Sequence, residues 1–177
     1  NFRLEDFPLL PIRVDALGPF VFVNLDPDAI PVKSCYGPVL DLIAGSGAVG
    51  MAFADTLLSD SDAHMVIVDR HAAPGGHWND AYPFVRLHQP SSSYGVSSAP
   101  LGTGRIDDLG LNAGYEELAS GREVLSHFDG VLRQRLLPSG RVRYFPMSEL
   151  DDDGVVTSLV SGERFRIGAR RFVDATH

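Results

Sequence analysis

The sequence predicts an α/β fold built on a parallel sheet, and three observations carry that expectation. The runs Val39 to Ala44 and His64 to Asp69 are apolar almost throughout, as strands covered on both faces must be. The segment between them has helical rather than alternating periodicity. The join between first strand and helix is Gly45-Ser46-Gly47-Ala48-Val49-Gly50.

In the first strand only Asp41 interrupts the apolar run, which places it near an exposed start. Each glycine of the turn has a separate mechanical duty. Gly45 permits the tight turn, Gly47 lets backbone approach a pyrophosphate, and Gly50 lets the helix pack closely on the strand. The helix is expected from about Ala48 to Leu58, with Val49, Phe53 and Leu57 on one stripe and Ser59-Asp60-Ser61-Asp62 as its exit. Asp69 closes the second strand about 20 residues past the last glycine, where a carboxylate can accept hydrogen bonds from an adenosine ribose. The helix N-terminus offers unpaired N–H groups and a positive dipole end to the pyrophosphate, so no lysine is needed. Together these features form a Rossmann-like dinucleotide-binding unit.

Beyond the second strand, Ser120-Gly121-Arg122-Glu123 has capping-box form. It opens a helix whose Val124, Leu125, Phe128, Val131, Leu132 and Leu136 recur at core-facing spacing, and Leu137-Pro138-Ser139-Gly140 ends it. Four β-like runs come next, at Val142 to Met147, Val155 to Val160, Arg164 to Ile167 and Arg171 to Ala175. Asp151-Asp152-Asp153-Gly154 and Ser161-Gly162 punctuate them as turns; the acidic triplet lacks the further ligands of a calcium loop.

Composition bounds the function. The 177 residues suit one well-buried domain or a domain with a short appendage, and 44% apolar with 21% charged residues is ordinary for a globular protein. A net charge of −8, from 15 Lys and Arg against 23 Asp and Glu, argues against nucleic acid as a partner. Arg164, Arg166, Arg170 and Arg171 read as a solvated strand face. With no apolar run of membrane-spanning length and no secretory pattern at the N-terminus, no membrane role and a cytoplasmic location are expected. The lone Cys35 cannot form an internal disulfide. His71, His77 and His88 lack metal-ligand spacing, so no metal site is expected.

NAD and FAD both fit a strand, glycine turn and helix, and Asp69 suits either ribose. The residues after Asp69 favour flavin. Asp69-Arg70-His71-Ala72-Ala73-Pro74-Gly75-Gly76-His77-Trp78-Asn79-Asp80 resembles the acid, loop, Gly-Gly-x-Trp pattern of flavin-containing monooxygenases. Tyr82-Pro83-Phe84-Val85-Arg86-Leu87-His88-Gln89-Pro90-Ser91 resembles a second segment of that superfamily, one that lies along the flavin. The resemblance implies an FAD-binding domain over residues 38–177, with a strand, a β-meander and a returning strand whose end, Asp174-Ala175-Thr176, touches the cofactor. Carried across position by position, the implied cofactor residues are Gly45, Ser46, Gly47, Ala48, Val49, Gly50, Asp69, Arg70, Gly76, His77, Trp78, Arg86, Leu87, His88, Gln89 and Thr176. In a complete relative NADPH reduces the flavin, oxygen adds to it and a small molecule is oxidised. The second dinucleotide motif, which would bind NADPH, is not found in these residues. No catalytic acid, base or nucleophile is assigned; Arg86 and Asn79 come nearest, as candidates that could equally brace the loop.

Residues 1–37 fall outside this scheme. Phe7 to Asp15 and Phe20 to Ala29 read as a β-hairpin turning at Leu17-Gly18-Pro19. The wording from Gly18 to Ala29 resembles the closing hairpin of the Rieske domain in ring-hydroxylating oxygenase large subunits. A Rieske cluster needs two cysteines and two histidines, and one cysteine cannot supply it, so no iron–sulfur cluster is expected. The junction near Tyr36-Gly37-Pro38 suggests a joined or truncated reading frame. Two other functions are compatible with the residues. An NAD(P)-dependent Rossmann dehydrogenase leaves the Gly-Gly-x-Trp segment and the meander without a role, and a non-catalytic fragment would retain residual nucleotide binding.

Overall fold

A computed structural model describes residues 12–17, 20–31, 34 and 40–176. Residues 7–11 of the expected first strand, Gly18 and Pro19 of the expected turn, Cys35 and the junction around 36–39 lie outside them. In chain order the elements are β1 (Arg13–Leu17), β2 (Phe20–Asn24), β3 (Leu40–Ala44), α1 (Ala48–Asp60), β4 (His64–Val68), α2 (Gly121–Val131), β5 (Val142–Phe145), β6 (Ser148–Leu150), β7 (Val155–Ser158), β8 (Arg164–Arg166) and β9 (Arg171–Asp174). The fold is mixed α/β, with a parallel sheet and an antiparallel hairpin.

The parallel sheet has the order β5-β4-β3-β9. Its strands finish level: Ala44 pairs with Val68 on one side and Asp174 on the other, and Val68 pairs with Phe145. The chain runs outward from β3 through β4 to β5 and then returns to β9 on the opposite side of β3. That reversal marks the sheet edge at which ligands of open α/β sheets lodge.

β4 shows why its apolar run is unbroken. Met65 and Ile67 face one way, into a core with Ile43, Met51, Leu57, Val124 and Phe128, while Val66 and Val68 join Val156, Phe145 and Phe165 of the other cluster. Alternate side chains point to opposite faces of a strand, so both sets must be apolar when both faces are covered. Helices cover one face, and the antiparallel meander β6-β7-β8 covers the other. The three layers therefore result from one uninterrupted run.

The capping box at Ser120 forms as its residues predict. Ser120 Oγ accepts from Glu123 N at 3.4 Å, and the Glu123 carboxylate accepts from Ser120 N at 2.7 Å. Val124, Phe128, Val131, Leu132 and Leu136 are buried, and a wide turn over Leu132–Leu136 extends the helix before Gly140 ends it. Differences from expectation have local causes. Val49 is 55% exposed while Phe53 and Leu57 are buried, because it occupies the first turn of α1 beside the open glycine turn, where nothing packs over it. β2 stops at Asn24 rather than reaching Ala29, since Asn24 Oδ1 accepts from Asp26 N and Asp26 Oδ1 from Asp28 N, turning the chain. β7 stops at Ser158 because its hydroxyl accepts from the amides of Val160 and Ser161. The segment after β5 forms a further short strand, β6.

One buried charge ties the helical layer together. Asp55, fully buried in α1, accepts from Ser98 N at 2.9 Å, Ser98 Oγ at 2.6 Å and Arg135 Nε at 2.5 Å. Arg135 also donates to Ser59 Oγ at 2.6 Å. Among the described residues no helix is long and apolar enough to cross a membrane. Replacing Asp55 with Ala is predicted to cost about 3 kcal/mol, because it strands Arg135 and the Ser98 amide. The urea midpoints of D55A and the parent should differ accordingly.

Candidate functional site

The glycine turn is held by main chain approaching main chain. Gly45 has φ +91, donates its N–H to Val68 O at 2.8 Å, and lies so close to β9 that a Cβ there would sit 2.6 Å from Ala175 O. A Cβ on Gly50 would overlap Gly45 O, so the third glycine sets how near α1 approaches the turn. The Gly75-Gly76 pair docks on the turn from the other side. Gly75 N donates to Ser46 O at 2.8 Å, and a Cβ on Gly76, which has φ +54, would lie 2.9 Å from Gly47 Cα. Thus Gly45, Gly50 and Gly76 are required by the chain itself.

Gly47 differs. Its φ is −69, open to any residue, and an added Cβ would make only ordinary contact with Gly76 Cα at 3.6 Å. Nothing within the described protein demands a glycine there. Gly47 caps α1 without a side-chain hydrogen bond, and the first turn holds no acidic residue. The leading N–H groups of α1 therefore have no partner from a capping side chain.

A cleft of about 670 Å³ opens beside this turn, at the level ends of β3, β4 and β9. Gly45, Gly47, Asp69, Arg70, Gly76, His77 and Thr176 line it. Ser46 is fully buried beneath it, and Ala48 occupies the first turn of α1. Thr176 is held by its amide and hydroxyl, which both donate to Asp174 Oδ1 at 3.0 and 2.6 Å. The meander closes the far wall with Ser148, Glu149, Leu150, Asp151 and Thr157. Arg70 reaches across to Glu149 at 3.1 Å, an exposed pair.

Asp69 is buried at the cleft floor, and both of its oxygens are engaged. Oδ2 accepts from Ser46 N and Ser46 Oγ, both at 2.5 Å; Oδ1 accepts from His71 N at 2.7 Å and lies 2.9 Å from His71 Nδ1. The other ring nitrogen, Nε2, lies 2.8 Å from Asp80 Oδ2. The Asp80 hydrogen bond raises the His71 pKa above its ordinary value, partial burial opposes this, and Asp69 adds to the rise. Burial pushes the neighbouring Tyr144 hydroxyl, 3.5 Å from Ser46 Oγ, up to about 12.

The other residues implied by the resemblance stand apart from this cleft. Trp78 is in the core, its Nε1 donating to Tyr94 Oη at 2.6 Å. Arg86 donates to Leu118 O at 2.8 Å and Asn79 Nδ2 to Ala73 O and Gly76 O, so both brace main chain. Leu87 is buried, and His88 and Gln89 are exposed; none of the three lines the cleft. Among the described residues no cluster of His, Cys, Asp or Glu is arranged to hold a metal ion. Asp80 and the meander wall are site components that sequence reading does not single out. Asp80 ends the Gly-Gly-x-Trp segment, but only folding shows that it and Asp69 flank one imidazole.

No family model matches the chain. It is 54% identical over 136 residues to uncharacterized proteins of Mycobacterium tuberculosis and Mycobacterium bovis, covering 77% of this chain and 25% of theirs. The chain thus spans about a quarter of the length of these curated relatives. Its fold is similar to a mutant flavin monooxygenase from Stenotrophomonas maltophilia, with TM-score 0.51, 20% identity, and coverage of 79% of this chain and 38% of that one. It is also similar to the S-allyl-L-cysteine S-oxygenase of Allium sativum, with TM-score 0.51, 17% identity and coverage of 78% and 36%. A steroid monooxygenase bound to NADP gives TM-score 0.51, 21% identity and coverage of 78% and 26%. The flavin-monooxygenase-like fold is therefore established over most of the chain.

The turn and the imidazole each generate a prediction. Gly76→Ala should cost at least about 2 kcal/mol of stability, from the left-handed backbone and the Gly47 contact, whereas Gly47→Ala should stay within about 1 kcal/mol of the parent; urea denaturation of the two variants separates them. Because His71 binds its proton more tightly folded than unfolded, its contribution to stability is complete below the ordinary value of 6.5 and is lost as pH rises through the raised value. H71Q should remove that part of the pH slope in the same denaturation series.

Proposed function

We propose that residues 38–177 form the FAD-binding portion of a flavin-dependent oxidoreductase, monooxygenase-like and NAD(P)H-dependent in its complete form. The observation that carries the reading is Gly47. It is the glycine of the turn that the protein's own packing does not require, and it faces the cleft at the uncapped start of α1. Space kept free of a side chain beside unpaired N–H groups suits a pyrophosphate, whose oxygens need close backbone donors.

In this reading the turn Gly45–Gly50 holds the pyrophosphate, with Ser46, Ala48 and Val49 supplying main chain. Asp69 accepts from the adenosine ribose, which takes the place of the Ser46 hydroxyl on Oδ2. Arg70, Gly76, His77 and Thr176 border the bound nucleotide. Trp78 acts from the core by fixing the loop that carries Gly76, Leu87 is buried in the same core with its amide on Ala119 O, and Arg86 clamps the 86–89 segment to residue 118. Bound flavin would supply two-electron reduction and the activation of oxygen. The chain supplies position and exclusion of water, while an NADPH domain and substrate region belong to the complete protein.

Gly47→Val is expected to abolish FAD binding while leaving a folded chain, as monitored by calorimetric titration alongside circular dichroism. Undiminished affinity in this variant, or binding of NAD with no affinity for FAD in the parent, would sink the assignment.

A further inference from the structure

His71 stands between two carboxylates, and the geometry constrains its charge. Asp69 Oδ1 lies 2.9 Å from Nδ1 and Asp80 Oδ2 lies 2.8 Å from Nε2. Ionised carboxylates only accept, and a neutral imidazole has one N–H to offer. Both contacts are hydrogen bonds only when the ring is an imidazolium, with each nitrogen donating. A neutral ring would turn a lone pair toward one of the two anions.

The bridge also joins separate pieces of the site. Asp69 directly follows β4 at the cleft floor; Asp80 closes the short turn Gly76–Asn79, whose first residue abuts Gly47. Met147, at the start of the meander, donates its amide to His71 O at 3.0 Å, fixing the residue's main chain from the third side. The charged and titratable groups around this cluster are Asp69, Asp80, the Arg70–Glu149 pair, Asp151 and His77 on the cleft walls, with Tyr144 beyond Ser46. Arg70 is engaged by Glu149, so His71 supplies the positive charge facing both Asp69 and Asp80. We propose that His71, as an imidazolium, is the positioning residue that holds Asp69 and Asp80 together at the cleft, and that its proton is required for tight dinucleotide binding. The proposal rests on the dinucleotide reading above.

Losing the proton has two consequences with the same sign. Asp69 and Asp80 with His71 change from a net charge of −1 to −2, beside the place where an anionic pyrophosphate would settle. One end of the bridge also opens, at Asp69, which Ser46 and the His71 amide still hold, or at Asp80 and the turn that carries Gly76. Affinity should therefore fall as pH rises. Over the range in which an imidazole titrates, FAD is a clean probe, because its pyrophosphate is esterified at both ends and keeps a constant charge.

Calorimetric titration of FAD into the parent chain, H71Q and D80N at about pH 6 and about pH 9 tests this, with ring-nitrogen NMR of His71 in the free chain. The parent should lose on the order of tenfold or more in affinity between the two pH values, roughly one charge step, while H71Q and D80N bind weakly with little pH dependence. The NMR titration should show both nitrogens protonated to higher pH than an ordinary imidazole, with the excess lost in D80N. Parent affinity that is independent of pH, or an equal slope in H71Q, overturns the coupling alone. A His71 ring that is neutral at pH 6 overturns the bridge whatever FAD does. Absence of FAD binding at both pH values overturns the dinucleotide reading, and the coupling with it.

Discussion

Everything at the cleft depends on main chain approaching main chain without intervening side chains. β9 reaches the glycine turn because Gly45 lets Ala175 O come near, and the start of α1 sits over the turn because Gly50 does not push it away. The Gly75-Gly76 loop closes the other side by lying on Gly47. Two segments distant in sequence, β9 and the Gly75-Gly76 loop, thereby converge on one turn. A Cβ on Gly45, Gly50 or Gly76 would separate them by more than a close-packed interior can absorb.

This convergence makes Gly47 informative. A glycine that packing demands says nothing about a ligand; one that packing does not demand, beside a cleft and unpaired helix N–H groups, asks for an explanation outside the chain. The sheet supplies the setting, since the order β5-β4-β3-β9 reverses at β3 and leaves its strand ends level. Asp69 and Ser46 then link the floor of the cleft to the turn by hydrogen bonds that occupy one carboxylate oxygen. His71 takes up the other and extends the link to Asp80, so the loop after β4 belongs to the site electrostatically as well as sterically.

The core explains why some motif residues leave the cleft. Trp78 is large and apolar, and its single N–H finds the Tyr94 hydroxyl, a pairing that suits burial better than exposure on a cofactor wall. Arg86 and Asn79 direct their donors to carbonyls. These residues brace the loops between β4 and α2. Asp55 plays the comparable part in the helical layer, where Arg135 and Ser98 neutralise and satisfy a carboxylate that the packing has removed from water.

The parallel strands, the glycine turn, the capped helix and the core stripe of α2 are all legible in the sequence, because each is encoded by neighbours within a few residues through periodicity, turn chemistry or capping. The position of Asp69 at the end of β4 is legible for the same reason. Which glycine is free of packing duty emerges only in three dimensions, because Gly45, Gly50 and Gly76 are explained by contacts with Ala175, Gly45 and Gly47 that run partly between distant segments. The same holds for the His71 bridge and the meander wall. A carboxylate's partner depends on where the chain returns in space, and local sequence preferences carry no record of that.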